Sequence, residues 1–502
     1  MQYPHLLFVA APLAFALLCL CLPFAWLRMA SLVAGALAHL TLVARSWQVP
    51  AAPPAAEAYI ALDPLGHLFL TLNSVLFLAT SVYFVGYHRR KLVSQRVFLA
   101  CILALLAALS LVAVSQQIGL LWVAMEAASL AATPLIYFRL GPRALEATWK
   151  FVLMNSVGIA LALLGIFCVA AASGSADEAP ISLTVTDLMQ NANRLNPVWL
   201  RAGFLFALVG FGTKMGLAPL HSWKPDAYGE APPPVAALLA GGMTLGAFTG
   251  ILRVVQVCNA AGLATFAGSW LVVFGLLSIA VAAMFVVGNN DYRRLLAYTS
   301  VEHMGIMAIG VGLGASGSYA AMLHAMHNTL NKGVLFFLAG FVWRTYHSNQ
   351  IRDVAGLLHR HPFAGVLFLS GLCATCGLPP FGMFYSELGI LFAAARTSHW
   401  WVLGLFAFML SVVFVGVMTA MLPMVFGEPS KPIEAPPAPV PPQRWRGGFM
   451  LGAAATLAAL AFSLGAYQPA AVKQALDDAA STVNGPLVRV AVTQRPQAEA
   501  IP

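Results

Sequence analysis

Seven ionisable side chains sit where an apolar chain should hold none. Glu126, Lys150, Lys214, His324, His327, Lys332 and Glu387 fall inside, or near the middle of, long hydrophobic runs. A charged side chain at a bilayer centre costs about 2.5–3.5 kcal/mol on insertion scales. Packing alone does not retain seven of them, so they face one another or water. Their types suit proton transfer. An ammonium taken out of water holds its proton less tightly, and a carboxylate beside it restores that affinity. Moving the carboxylate away releases the proton, so a charge pair is a switch. Histidine titrates near neutral pH and suits the steps between.

The surroundings of each group differ. Lys214 lies in "GFGTKMGLAPLHSWKPDA" (210–227), where Pro219 interrupts the helix and frees backbone groups and space for water. Glu126 lies in "LLWVAMEAASLAATPLIYF" (120–138), a run with no other charge. Lys150, in "EATWKFVLMNSVG", is one turn into its run and suits either a relay or a side chain that snorkels to the surface. In "LHAMHNTLNKGVLFF" His324 and Lys332 are eight residues apart and share a helix face, with His327 turned partly aside. Glu387 follows a second break in "GLPPFGMFYSELGILF". "VEHMG" (301–305) adds Glu302 and His303, while His221, Lys224, Asp226 and Glu230 cluster just past the first break and suit either the polar pathway or a solvated loop.

Composition names the solvent. Of 502 residues, 60% are hydrophobic and only 9% charged, where soluble domains carry roughly a quarter charged residues. A water-soluble fold could not cover that much apolar surface, so the chain reads as an all-α polytopic membrane protein with the lipid bilayer around it. The seven cysteines all lie in apolar runs and read as small packing residues. Cys373 and Cys376 form a C-x-x-C with no second pair and no polar shell. With no nucleotide fingerprint, P-loop or metal-binding helix motif, no cofactor, metal or nucleic-acid partner is expected.

Each spanning helix needs about 20 mostly apolar residues. Such runs give about fourteen spans, at 5–27, 29–47, 65–87, 95–114, 117–138, 146–173, 198–217, 233–257, 264–288, 294–314, 317–343, 363–391, 400–426 and 447–467. The first run lacks a basic leader and a small-residue cleavage site and reads as a retained helix. Odd-numbered loops hold the basic clusters, "HRRKLVSQR" (88–96) among them. They carry about 16 Lys and Arg against about four in the even loops, which puts odd loops in the cytoplasm and both termini outside. A Pro-rich loop (428–444) precedes the last span, and the polar tail after about residue 467 is expected to be loosely ordered.

Two interruptions share one pattern. "GLAPLHSW" (216–223) and "GLPPFGMF" (377–384) both read G-L-x-P inside apolar runs about five helices apart. Paired interruptions of this kind point to inverted repeats with a polar pathway between them. The expected division is residues 1–92 for spans one to three, 93–260 for a first inverted repeat, 261–427 for a second, and 428–502 for the Pro-rich loop, last span and tail.

Five segments together carry a family resemblance: "WVAMEAASL", "KMGLAPLHSWKPDA", "RRLLAYTSVEHMG", "LHAMHNTLNKGVLFFLAG" and "GLPPFGMFYSEL". Across about residues 90–425 the chain resembles the antiporter-like proton-translocating subunits shared by respiratory complex I, Mrp-type cation/proton antiporters and membrane-bound hydrogenases. It looks most like the F-type subunit of hydrogenase-4. The resemblance implies fourteen helices, two inverted five-helix repeats and broken helices seven and twelve. It implies that Glu126 and Lys214 form the charge pair of helices five and seven. Lys332 and His324 would be the central lysine and first histidine of helix eleven, and Glu387 the terminal charge of helix twelve. Two departures stand out. A second helix-eleven histidine, where relatives carry one, falls here at 327 instead of the position of Asn328. The eighth span has Ala240 and Gly241 where several relatives place a histidine.

The expectation is therefore a non-catalytic, proton-conducting subunit of a larger membrane redox complex, of the hydrogenase-4, formate hydrogenlyase or NADH-quinone oxidoreductase type, in a bacterial inner membrane. Protons would pass Lys214, cross to His324 and Lys332 with Lys150 as a further candidate, and leave past Glu387. Partner membrane subunits would carry the redox chemistry. The alternatives are a secondary Na⁺ or K⁺/H⁺ antiporter, an energy-coupling subunit for inorganic-carbon uptake, and an assembly scaffold.

Overall fold

The computed structural model describes residues 4–49, 54–55, 58–87, 95–174, 181–428 and 444–485. Among them the chain is almost wholly helical, with three isolated β-bridges and no strand. Eleven helices are long and apolar enough to cross a membrane. Leu7–Cys21 and Pro362–Thr375 are shorter apolar helices. Most of the basic cluster at 88–96, the Pro-rich loop and the last residues of the tail lie outside the described residues.

Local chemistry sets many of the boundaries. Proline stands in the first turn of Pro142–Ser173, Pro197–Met215, Pro233–Leu238 and Pro362–Thr375, where its missing N–H leaves no bond unmade. Asn196 accepts from the amides of Val198 and Trp199, and Asp291 from those of Arg293 and Arg294, so each caps the helix it precedes. Helix–helix contact then relies on small residues, because lipid offers no hydrophobic drive between helices. Gly158 and Gly165 on Pro142–Ser173 press against Gly210 and Gly203 on Pro197–Met215. A methyl on Gly210 would come within 2.6 Å of the Gly158 carbonyl oxygen. Gly268 and Gly275 make the same kind of seam with Gly312 and Gly305 between Ala264–Val286 and Tyr292–Gly312.

Both expected breaks are present. The first separates Pro197–Met215 from Trp223–Glu230, and the second separates Pro362–Thr375 from Gly382–Arg396. Each leaves its first half-helix through a glycine with positive φ, Gly216 at 86° and Gly377 at 60°. A cis X-Pro bond follows in each, at Ala218–Pro219 and Pro379–Pro380.

Among the described residues, the bridges between loops join loops of one parity. Bridges Ile60 with Ser115 and Gln117 with Thr184 join three even loops, whereas Asp291 with Gln350 joins two odd ones. At the even-loop end Arg253, fully buried, holds Asp63 through both carboxylate oxygens at 2.5 and 2.7 Å. Asp63 also accepts from the Gly66 amide at 3.0 Å. Removing either partner would strand a buried charge, at a cost of about 3–5 kcal/mol.

The tail departs from expectation. Residues Ala470–Asn484 form a helix whose Leu476, Ala479, Ala480 and Val483 are buried against the bundle. Asn259 Nδ2 donates to the Val483 carbonyl at 3.0 Å, and Tyr319 donates to Gln468 Oε1 at 3.0 Å. Those four apolar positions recur every three or four residues, and burying that stripe orders a segment that is otherwise polar.

Candidate functional site

Lys214 occupies the last turn of its half-helix, one residue before the Met215–Gly216 end. Its side chain is fully buried, and Nζ donates to Glu126 Oε2 at 2.9 Å and to the Ser129 hydroxyl. Glu126 and Ser129 are three apart on Ile118–Ile136 and share one helix face. The ammonium is therefore both paired and hydrogen-bonded, which a charge in the membrane interior requires. Glu126 keeps 26% of its side chain exposed. It opens on a lateral face carrying Val123 and Leu130, exposed to 51% and 64%.

Lys224 is not a loop charge. It lies in the helix Trp223–Glu230, is fully buried, and donates from Nζ to the Met215 carbonyl at 2.7 Å. That carbonyl is one of the four that a helix C-terminus leaves without an internal partner, at the negative end of the helix dipole. Lys224 Nζ also stands 5.6 Å from the Tyr228 ring centre. Its chain crosses Gly216 so closely that any Cβ there would meet it. Of the other charges in this stretch, Asp226 joins Lys150 at 2.8 Å and Arg294 at 3.0 Å. Trp223 Nε1 closes the break by donating to the Thr213 carbonyl at 2.9 Å.

The second half gathers a different set. Lys332 is fully buried and donates to the Thr299 hydroxyl at 2.6 Å. Among the described residues it makes no ion pair. Glu302, in electrostatic range of that ammonium, has a buried Oε2 with no hydrogen-bond partner. His303 Nδ1 and His324 Nε2 share a hydrogen bond at 3.1 Å, and His324 Nδ1 meets the Ser386 hydroxyl at 2.8 Å. One donor atom each from His303, His324 and Glu387 lies within 4.8 Å of the other two. Such a set can pass a proton between its members, and its two imidazoles with one carboxylate also have the donor types of a cation cage. Glu387 folds back over Gly377, where any Cβ would collide with its carboxylate. His327 faces Gly382 in the same half-helix, and its Nε2 has no partner.

Six of the expected residues thus form two buried clusters, and Lys150 stands apart. Its side chain is 47% exposed, and it pairs with Glu146 at 2.6 Å and Asp226 at 2.8 Å. Snorkelling describes it, and no buried group of the row touches it. Sequence reasoning left Lys224 open between the polar pathway and a solvated loop, and gave little weight to Glu302 and His303. All three sit beside helix residues that read as core. The hydroxyls of Ser129 and Thr299 carry no sequence signal beyond their spacing of three or four from an ionisable residue, and Ser386 none beyond standing next to Glu387.

The family of NADH:quinone oxidoreductase and Mrp antiporter transmembrane proteins matches residues 115–414, which include both clusters. The chain belongs to that family. It is 33% identical over 397 residues to a hydrogenase-4 component F homolog of Methylacidiphilum infernorum, covering 75% of this chain and 82% of that one. It is 30% identical over 383 residues to the NADH-quinone oxidoreductase subunit N of Desulforudis audaxviator, covering 74% of each. A subunit of the archaeal membrane-bound sulfane sulfur reductase, a respiratory membrane complex, shares its fold with a TM-score of 0.83. That likeness spans 96% of this chain and 97% of the other at 22% identity. The antiporter-like family member is accordingly an all-α, polytopic membrane subunit.

Proposed function

We propose that the chain is the proton-translocating, antiporter-like subunit of a membrane-bound redox complex. One observation carries the reading: a buried lysine at a helix break, paired with a carboxylate, stands at the head of buried titratable groups that reach a second break. Opening the Lys214–Glu126 pair lowers the ammonium's hold on its proton, and closing it restores that hold. Lys332, His324, His303 and Glu387 supply the following stations, with water completing the gaps beside unpartnered Glu302 Oε2, His303 Nε2, Ser300 Oγ and both polar atoms of the Asn328 side chain.

The likeness to a hydrogenase-4 component supports a redox partner of that type, which would supply the driving force. A quarter-exposed carboxylate on a lipid-level face supports partner contact as well, because a neighbouring membrane subunit would remove Glu126 from hydrocarbon. In this reading residues 93–260 and 261–427 are inverted repeats within about fourteen spans. Odd loops, with the Lys150–Asp226–Arg294 cluster among them, face the cytoplasm of a bacterial inner membrane, and both termini face the other side. The test is proton uptake by the intact complex in proteoliposomes. Lys214→Ala should abolish uptake while the complex still assembles, and wild-type uptake would remove Lys214 from the pathway. Uptake that depends on added Na⁺ or K⁺ would favour a cation/proton antiporter.

A further inference from the structure

The helix between the two clusters holds no titratable group that faces them. Pro233–Ala260 carries one charged residue, Arg253, and that side chain is locked to Asp63 at the even-loop end. At Gly241, inside a π-helical turn at Leu239–Met243, a Cβ would run into Leu76 and come within 3.1 Å of Thr329. Ala240 and Gly241 thus supply no relay side chain there. A proton leaving Lys214 therefore needs another stop before Lys332.

Lys224 has the properties of that stop. It is fully buried, and among the described residues no carboxylate pairs with it. Its Nζ bonds the carbonyl of Met215, the residue next to Lys214, and it is in electrostatic range of both Lys332 and His303. The polar atoms on that side are open. Tyr228 Oη, on the same half-helix, and His303 Nε2 are buried without hydrogen-bond partners. Buried polar atoms of this kind are regularly satisfied by ordered water.

Resting on the proton-translocation reading, we propose that Lys224 is the station joining the two halves. The Lys214 ammonium gives up one proton through water and the neutral Lys224 amine accepts it. Lys224 then passes that proton toward His303 and Lys332 and returns to the amine. A single proton moves, and no other bond changes.

A merely structural Lys224 would cap the Met215 carbonyl, and two substitutions separate the roles. Lys224→Arg keeps a donor and a charge but does not release its proton at any working pH. Lys224→Gln keeps a donor and has no titratable proton. Both should assemble, and proton uptake by the reconstituted complex should fall about tenfold or more. Wild-type uptake in either assembled variant would overturn the proposal. Lys214→Ala and Lys332→Met run alongside: their loss of uptake with normal Lys224 variants removes this station alone, whereas wild-type uptake in all of them removes the whole reading. Should neither Lys224 variant assemble, a water-resolving map of the wild-type complex decides. Ordered water joining Lys224 Nζ to His303 or Lys332 is expected, and dry apolar packing on that side overturns the station.

Discussion

The two halves hold the same ingredients in opposite arrangements. In the first, Lys214 and Glu126 are closed at 2.9 Å. In the second, Lys332 bonds a threonine hydroxyl, and Glu302 keeps an unpartnered carboxylate oxygen. The breaks beside them match more closely: each has a positive-φ glycine crossed by a titratable side chain from the second half-helix, Lys224 over Gly216 and Glu387 over Gly377. One framework thus carries a closed ion pair in one half and, among the described residues, an unpaired lysine in the other. A proton row needs both, because identical stations would give no preferred resting place.

The largest effects should come from the shared framework. Gly377→Val adds a β-branched side chain at left-handed φ and drives it into the Glu387 carboxylate. A loss of more than about 3 kcal/mol is expected. Little folded complex should survive detergent extraction, and Gly216→Val should do the same through Lys224. A complex of normal yield and melting temperature would show that the breaks are not built around their glycines.

The closed and open pairs should then respond with opposite sign. Lys214→Met strands Glu126 and should destabilise by about 1–3 kcal/mol, less than a fully buried orphan because that carboxylate is partly exposed. Lys332→Met removes an ammonium that has no ion-pair partner and should leave the melting temperature unchanged or raised. Equal destabilisation by both would erase the distinction between the halves. Adding Glu126→Leu to Lys214→Met removes the stranded charge and should recover most of the lost stability, giving a coupling of about 1–2 kcal/mol in a double-mutant cycle. The smallest effect belongs to Lys150→Ala at the exposed cluster, within about 1 kcal/mol. It should leave most proton uptake intact. Complete loss of uptake there would put Lys150 in the row after all.

Much of this was legible in the residues. Lys214, Lys332 and Glu387 stand out because charge in an apolar run is costly, and both breaks show as G-L-x-P. The register of contacts was not. Glu126 and Lys214 are 88 residues apart on separate helices, so no spacing along the chain pairs them. Lys224 could not be decided from sequence because "SWKPDA" has the polar composition of a loop, whereas the second half-helix turns its lysine back into the core. In the tail, Leu476, Ala479, Ala480 and Val483 had helical spacing, but alanine carries a weak apolar signal beside Lys473, Asp477 and Asp478.

Proton uptake by the complex carrying Lys332→Met, followed in proteoliposomes beside wild type, tests the central claim most directly, because that variant removes a station without breaking any ion pair. Uptake should stop while assembly and stability are retained. Wild-type uptake from a stably assembled Lys332→Met complex would contradict it.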